Sequence, residues 1–382
     1  MECIVIHYSE IGLKGKNRHV FEGKLADNIA DSLGKNCKGI DKIYGRLVVK
    51  LRKGAAEKRI SGKLGKIPGI SSFSFSLSCG RDIESMKKAI DSFAKNRKAK
   101  TFSIDSSRSY KAYEHTSREV NEILGDHVRK KYGWKVDLTN PDVTFSVEIT
   151  EKGAYAYTGK HKGMGGLPVG SSGRLVSLIS GGIDSPVAAH EMFRRGCEVV
   201  FVHFHNRTSQ KDFVKDKVGK IVRILSVYQP RTRLYMVPFG ELQREITMKV
   251  PAKQRMIIYR RLMFSIAERI AAREKALGFV TGDSIGQVAS QTLENLNSIY
   301  DSAKLPVFSP LIALNKEDIQ RKAKEIGTYE LSILPYPDCC SFLIAKHPET
   351  RSKLSEIIEI ENQTDTEKLI SDAIAKAEKT KF

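Results

Sequence analysis

Acidic residues are in short supply in this chain of 382 residues. Lys and Arg number 64 against 44 Asp and Glu, a formal charge of +20. The excess is no basic tail, since it runs from Lys14 to Lys381. A broad positive field favours a polyanionic partner, most commonly nucleic acid. Long apolar runs are also missing, and no stretch approaches the roughly 18 residues that span a bilayer. Met1 to His7 lacks the basic start and long apolar core of a signal peptide. A cytoplasmic protein without a membrane partner is therefore expected. The six cysteines, Cys3, Cys37, Cys79, Cys197, Cys339 and Cys340, are too few and scattered for a disulfide framework. None forms a CxxC pair, which argues against a zinc ribbon. Cys3 and Cys197 flank apolar runs and read as small buried hydrophobes. There is no internal repeat and no Walker-type phosphate loop.

Three segments emerge from what is present. The first, residues 1–58, opens on a strand, Cys3 to Tyr8, and continues into a helix with Phe21, Leu25, Ile29 and Leu33 on one face. Gly34 suits its C-cap. The second, residues 59–158, has strands in "SSFSFSLSC" and "DVTFSVEIT". Its helix begins at Thr116 or Ser117, with Glu119 or Glu122 placed for a capping box. A glycine-rich stretch without periodicity, residues 159–173, reads as a linker or mobile loop. The third segment, residues 174–382, alternates strands and helices. Its strands are expected at Leu175–Ile179, Glu198–His205, Arg233–Pro238 and Gly278–Thr281. That alternation predicts a parallel sheet covered on both faces. The last thirty residues read as one or two amphipathic helices. The fold class is thus a multidomain combination of α+β and α/β units.

The sharpest signal is "LVSLISGGIDSPVAAH", Leu175 to His190. An apolar strand ends in Ser180-Gly181-Gly182-Ile183-Asp184-Ser185, and a helix begins near Ile183 to Pro186. Ligands of open α/β sheets sit beyond the carboxyl ends of the strands. Glycines allow close approach of an anion, while the helix N-terminus supplies free amides and a favourable dipole. Ser180 and Ser185 can add hydroxyl donors, and Pro186 fits a first helical turn.

SGGxDS in a strand-turn-helix setting resembles the ATP pyrophosphatase, or PP-loop, superfamily. Five stretches narrow the resemblance: "YSEIGLKGKNRHVFE", "LTNPDVTFSVEI", "YAYTGKHKGMGGLPVGSSGR", "SLISGGIDSPVA" and "TGDSIGQVASQTLENLNSI". In this order, and covering nearly the whole chain, they resemble the tRNA 4-thiouridine synthase family. The resemblance implies a ferredoxin-like N-terminal domain, a THUMP RNA-binding domain and a PP-loop catalytic domain with a helical tail. It also implies ATP and Mg²⁺, and adenylation of O4 of uridine 8 in tRNA. Sulfur then displaces AMP to give 4-thiouridine.

The same resemblance assigns candidate residues. Leu178 and Ile179 would line the nucleotide through their backbone. Ser180, Gly181, Gly182, Asp184 and Ser185 would hold phosphates. Asp184 would also serve as the Mg²⁺ or phosphate-site acid, against the plainer role of an acid favoured by the helix dipole. His203 and Phe204 would lie beside the adenine, against a core role for the aromatic ring. Arg260, or its neighbour Arg261, together with Gly282 and Gln291, would touch the nucleotide, and Asp283 is a second candidate acid. Cys340, with Cys339 as the alternative, would attack the persulfide. Lys346 and His347 are near enough in sequence to lower a thiol pKa. A further sulfur-bearing residue would be the other of that pair, or a distant cysteine such as Cys197 or Cys79.

Some bacterial members carry the persulfide on a terminal rhodanese domain, for which the chain leaves no room before Phe382. The sulfur donor is left open by the sequence, and a cysteine desulfurase, a separate carrier protein or free sulfide is expected in its place. An iron–sulfur cluster would need a distant cysteine to join Cys339 and Cys340, and nothing in the sequence supports one. Arg108, Lys111, Arg118 and Lys160 are candidate tRNA contacts, though any single such residue is more often just a surface charge. Family members often pair through their N-terminal halves, so a homodimer is expected. Two other readings compete: a PP-loop adenylating ligase or amidotransferase acting on a small molecule, and a non-catalytic tRNA-binding module.

Overall fold

The computed structural model describes residues 2–206, 216–335, 345 and 347–382. It forms two compact units, Met1–Pro168 and Val169–Phe382.

The first unit begins with β1 (Cys3–His7), α1 (Arg18–Leu33), β2 (Cys37–Ile43), β3 (Arg46–Leu51), α2 (Glu57–Leu64) and β4 (Ser72–Cys79). It continues through α3 (Ile83–Ala94), β5 (Thr101–Arg108), α4 (Ser117–Tyr132) and β6 (Lys135–Val136). Last come β7 (Val143–Thr150), β8 (Gly153–Tyr157) and β9 (His161–Lys162). The strands form one sheet in the order β2-β3-β1-β4-β8-β7-β5-β6, with β9 added to β4. The apolar helix positions expected from spacing are realised: Leu25, Ile29 and Leu33 pack on Ile4, Ile6, Leu47 and Phe73. A second cluster joins Val120, Leu124 and Val128 of α4 to Phe102, Phe145 and Trp134. The capping box is Thr116 with Glu119: Thr116 Oγ1 accepts from the Glu119 amide, and Glu119 Oε2 accepts from the Thr116 amide.

The expected division at residue 58 falls inside α2, and β4 pairs with β1 in register from Cys3↔Ser76 to His7↔Ser72. Within the expected linker, β9 pairs with β4, and the Gly165 amide donates to Ile70 O at 2.7 Å. A side chain at Gly163 would meet Ile70 O at 2.2 Å, so glycine here serves close backbone packing.

A buried ionic group ties the strands together. Glu148 on β7 accepts from Tyr157 (2.6 Å) and Arg46, and pairs with His7 Nε2 (2.8 Å). Burial works to raise the Glu148 pKa, but the His7 bond and the Arg46 charge outweigh it and bring it down to about 2.

The second unit starts with β10 (Arg174–Leu178), α5 (Asp184–Arg194), β11 (Glu198–His205), α6 (Lys217–Leu225) and β12 (Arg233–Pro238). Next are α7 (Gly240–Lys249), α8 (Arg255–Glu274), β13 (Phe279–Val280), α9 (Leu293–Tyr300) and β14 (Val307–Phe308). The chain closes with α10 (Lys316–Ile326), α11 (Tyr329–Ser332), α12 (Leu354–Asn362), α13 (Glu367–Ala375) and β15 (Glu378–Lys381). Strand order is β14-β13-β10-β11-β12-β15, parallel except for β15. The helices α5, α6, α10 and α11 pack together, and α7, α8, α9, α12 and α13 form a second layer. This is the expected doubly covered parallel sheet. The tail departs from an all-helical reading, because β15 pairs antiparallel with β12 and Lys379 bonds the buried Glu274 at 2.6 Å. From β10 the chain moves outward to β11 and β12, then returns to the other side of β10 at β13. That reversal places a crevice beyond the carboxyl ends of β10 and β13.

Candidate active site

The loop between β10 and α5 is shaped by its own serines. Ser185 Oγ accepts from the Ser180 amide at 2.9 Å and contacts Ser180 Oγ at 3.1 Å. Ser180 Oγ accepts from the Gly182 amide at 3.2 Å. Both hydroxyls thus fix the turn. No side chain caps the start of α5. Its first amides, with the dipole behind them, suit an anion. Pro186 lies in the first helical turn, as its position in the sequence requires.

Asp184 is the first residue of α5. Its carboxylate accepts from Lys316 Nζ at 2.9 and 3.2 Å and from Gln287 Nε2 at 3.0 Å. Lys316 starts α10, 132 residues away in sequence. Sequence reasoning missed Lys316, which no local pattern marks, and Gln287, although it lies within the stretch "TGDSIGQVASQTLENLNSI". Gly282 follows β13 and lies directly against this turn. A Cβ there would sit 2.7 Å from the Ser185 amide nitrogen and 2.8 Å from the Asp184 carbonyl carbon. The glycine lets the ends of β13 and α5 meet.

Asp283 is buried beside it. Its Oδ2 accepts from Arg260 Nη2 at 2.6 Å and Tyr300 OH at 2.5 Å, while Oδ1 accepts from Gln291 Nε2 at 3.0 Å. Burial works to raise the Asp283 pKa, but the Arg260 charge and these bonds lower it below the ordinary value. Arg260, Gln291 and Asp283 are therefore one cluster, next to Gly282. The alternative Arg261 is buried on the other side of α8, where it bonds Asp301 and Glu361 at 3.2 and 2.7 Å. It ties helices together and stands apart from the cluster.

Leu178 ends β10, and the Ile179 amide continues the ladder to Val202 O at 2.9 Å. His203 is buried and donates from Nδ1 to Ile179 O at 2.9 Å, joining the ends of β10 and β11. The Phe204 ring is core, packed edge-on against Phe239 with centroids 5.4 Å apart. Its side chain is therefore not free to stack on a base.

Cys339, Cys340 and Lys346 lie outside the described residues. Burial pushes the Cys3 thiol up to about 12 and Cys79 to about 11, and also raises Cys37 and Cys197. Thiols so protonated are poor nucleophiles. Among the described residues, no three His, Cys, Asp or Glu side chains converge as a metal-binding group. No described helix is long and apolar enough to cross a membrane.

The candidate RNA contacts are more dispersed. Lys111 and Lys160 are exposed. Arg118 is exposed and pairs with Glu122 at 3.0 Å. Arg108 donates to the carbonyls of Tyr113 and His115 at 3.2 and 3.1 Å, which gives it a role in holding that loop.

Comparison with known proteins accounts for the whole arrangement. Residues 170–366 match the family described as thiamine biosynthesis protein (ThiI), residues 3–74 its ferredoxin-like domain, and residues 80–158 the THUMP domain. A probable tRNA sulfurtransferase of Caldanaerobacter subterraneus is 42% identical over 97% of both chains. Another from Thermus thermophilus is 39% identical over 97% of this chain and 91% of its own. The crystal structure of a 4-thiouridine synthetase–RNA complex with bound ATP superposes over 100% of both chains with a TM-score of 0.89 and 37% identity. A Pyrococcus horikoshii structure, PH1313, shares the fold over 86% of this chain with a TM-score of 0.66. Ferredoxin-like, THUMP and PP-loop parts thus occur in the order read from the sequence, and the chain belongs to the ThiI family of tRNA sulfurtransferases.

Proposed function

We propose that this protein is an ATP-dependent tRNA uracil 4-sulfurtransferase that converts uridine 8 to 4-thiouridine in the cytoplasm. The observation that carries the reading is the pairing of Asp184 with Lys316 at an uncapped helix N-terminus beside Gly282. The loop amides and Lys316 offer donors to a triphosphate. O4 of uridine attacks the α-phosphorus, the bond to the bridging oxygen breaks, and pyrophosphate leaves. The group on C4 is then an adenylate, a far better leaving group than a carbonyl oxygen. With sulfide as donor, attack at C4 expels AMP without net redox change. A persulfide donor needs a second thiol to release the sulfur, the role proposed for Cys340 or Cys339.

Mg²⁺ fits the donor set. It commonly binds through one or two carboxylates, substrate phosphate and water. Asp184 is the hard oxygen ligand beside the loop and would hold it; the ion would offset charge on the triphosphate. The expected partners are tRNA, a sulfur donor and a second copy of the chain. Phosphate contacts from the +20 surface supply much of the RNA affinity and make it fall with salt.

The test is nucleoside mass spectrometry of unmodified tRNA after anaerobic incubation with protein, Mg²⁺-ATP and sulfide. ATP-dependent 4-thiouridine is expected. ATP turnover indifferent to tRNA would instead indicate a small-molecule ligase, and tRNA binding without AMP formation a binding module.

A further inference from the structure

The Asp283 cluster contains more than a charge pair. An ionised carboxylate can only accept hydrogen bonds. Three donors lie within 3.0 Å of this one, and they divide unevenly: Arg260 and Tyr300 both address Oδ2, and Gln291 addresses Oδ1. Burial and the neighbouring carboxylate push the Tyr300 phenol up to about 12, so it remains a donor. The Gln291 amide therefore has to turn its NH₂ toward Asp283. Its carbonyl oxygen Oε1 is left buried with no hydrogen-bond partner among the described residues. A buried acceptor without a partner is uncommon and calls for a donor.

We propose that Asp283 is a positioning residue that sets the polarity of the Gln291 amide, so that Gln291 Oε1 accepts a hydrogen bond from the bound adenine nucleotide. The inference rests on the nucleotide-site reading above. Three groups of ATP can donate in this way: the 6-amino group and the two ribose hydroxyls. A site built to accept from such a group discriminates strongly against an analogue that lacks it.

The uneven division gives a sharp test. In Asp283→Asn the single remaining oxygen is claimed by Arg260 and Tyr300, so the new NH₂ faces Gln291. The Gln291 amide then flips, and a donor stands where the acceptor was. Gln291→Leu removes the acceptor without disturbing the carboxylate. The double variant Asp283→Asn/Gln291→Glu restores an acceptor, because one glutamate oxygen takes the asparagine NH₂ and the other is left for the ligand.

Calorimetric titration of the full chain would compare ATP with purine riboside triphosphate, 2′-deoxy-ATP and 3′-deoxy-ATP. The native protein is expected to bind ATP at least about tenfold more tightly than one of the three. That analogue identifies the donor. Asp283→Asn and Gln291→Leu should each reduce the preference to within about threefold, and the double variant should recover most of it. A merely structural role for Asp283 would weaken all four ligands alike, with no recovery in the double variant, and would overturn the proposal. So would a native protein that binds all four equally. Failure of the native chain to bind ATP at all would overturn the nucleotide-site reading first.

Discussion

Gly282→Ala isolates the close approach between the end of β13 and the start of α5. The new methyl carbon would lie 2.7 Å from the Ser185 nitrogen, 2.8 Å from the Asp184 carbonyl carbon and 3.0 Å from Asp184 Cβ. The shortest of these falls roughly 0.7 Å inside the 3.4 Å at which ordinary contact begins. None of the three atoms is the free end of a flexible side chain, so relief requires backbone to move. The φ of Gly282 is not in the positive region, and the cost is therefore crowding alone. Overpacking of this kind costs about 1–3 kcal/mol. In a unit of this size that is a fall in Tm of about 2–10 °C. The catalytic effect should be larger, because the displaced turn carries Asp184 and the loop amides. Misplacement approaching 1 Å can cost about a hundredfold in rate. AMP formation with tRNA and Mg²⁺-ATP is thus expected to lose about 30- to 100-fold in kcat/KM, while circular dichroism at 25 °C stays native. Gly62→Ala is the control: it lies in α2, with no atom within 4 Å of the added methyl. It should leave the rate unchanged and gain about 0.5–1 kcal/mol of stability. Retention of more than half the native kcat/KM by Gly282→Ala would refute the reasoning.

Three further outcomes are expected. Asp184→Ala abolishes thiolation in the mass-spectrometric assay but leaves tRNA affinity within about threefold in a filter-binding titration, since phosphate contacts dominate affinity. Lys316→Ala lowers kcat for AMP formation about a hundredfold, by loss of electrostatic stabilisation at the reacting phosphates. Because the Asp184–Lys316 pair is partly exposed, Tm should barely move. Glu148 has a folded pKa of about 2 against an ordinary 4.5, so its contribution is present above pH 4.5 and lost as pH falls toward 2. Glu148→Gln should therefore cost about 3 kcal/mol at pH 7 and flatten the acid limb of denaturant-measured stability over that window. An acid limb unchanged in that variant would count against the buried ion cluster.

Periodicity and turn chemistry carried the reading of the second unit. Glu198–His205 and Arg233–Pro238 are strands with those bounds, because short, largely buried apolar runs flanked by turns leave little choice. The strand expected at Leu175–Ile179 is displaced by one residue to Arg174–Leu178, and that at Gly278–Thr281 shortens to Phe279–Val280, although the Ile179 and Thr281 amides still bond Val202 O and Phe308 O. The glycines and serines of the loop were legible because their role is local. Lys316 was not, since nothing about a lysine after Asn315 announces a carboxylate 132 residues earlier. Arg260 could not be separated from Arg261 by sequence alone. Adjacent positions on a helix point about 100° apart, and tertiary structure decides which meets Asp283. The ionic group of His7, Arg46 and Glu148 was invisible for the same reason, as were the pairings of β9 and β15.

The continuous sheet of the first unit bears on how such a protein could be dismantled or recombined. Two families match its halves, yet β4 hydrogen-bonds to β1 on one side and β8 on the other. Excising either half would turn an interior ladder into a bare edge, a ready template for edge-to-edge aggregation. Arg46 and His7 would also be severed from Glu148. Cutting between the two halves should therefore destabilise both, and gene-fusion experiments should move them as one piece.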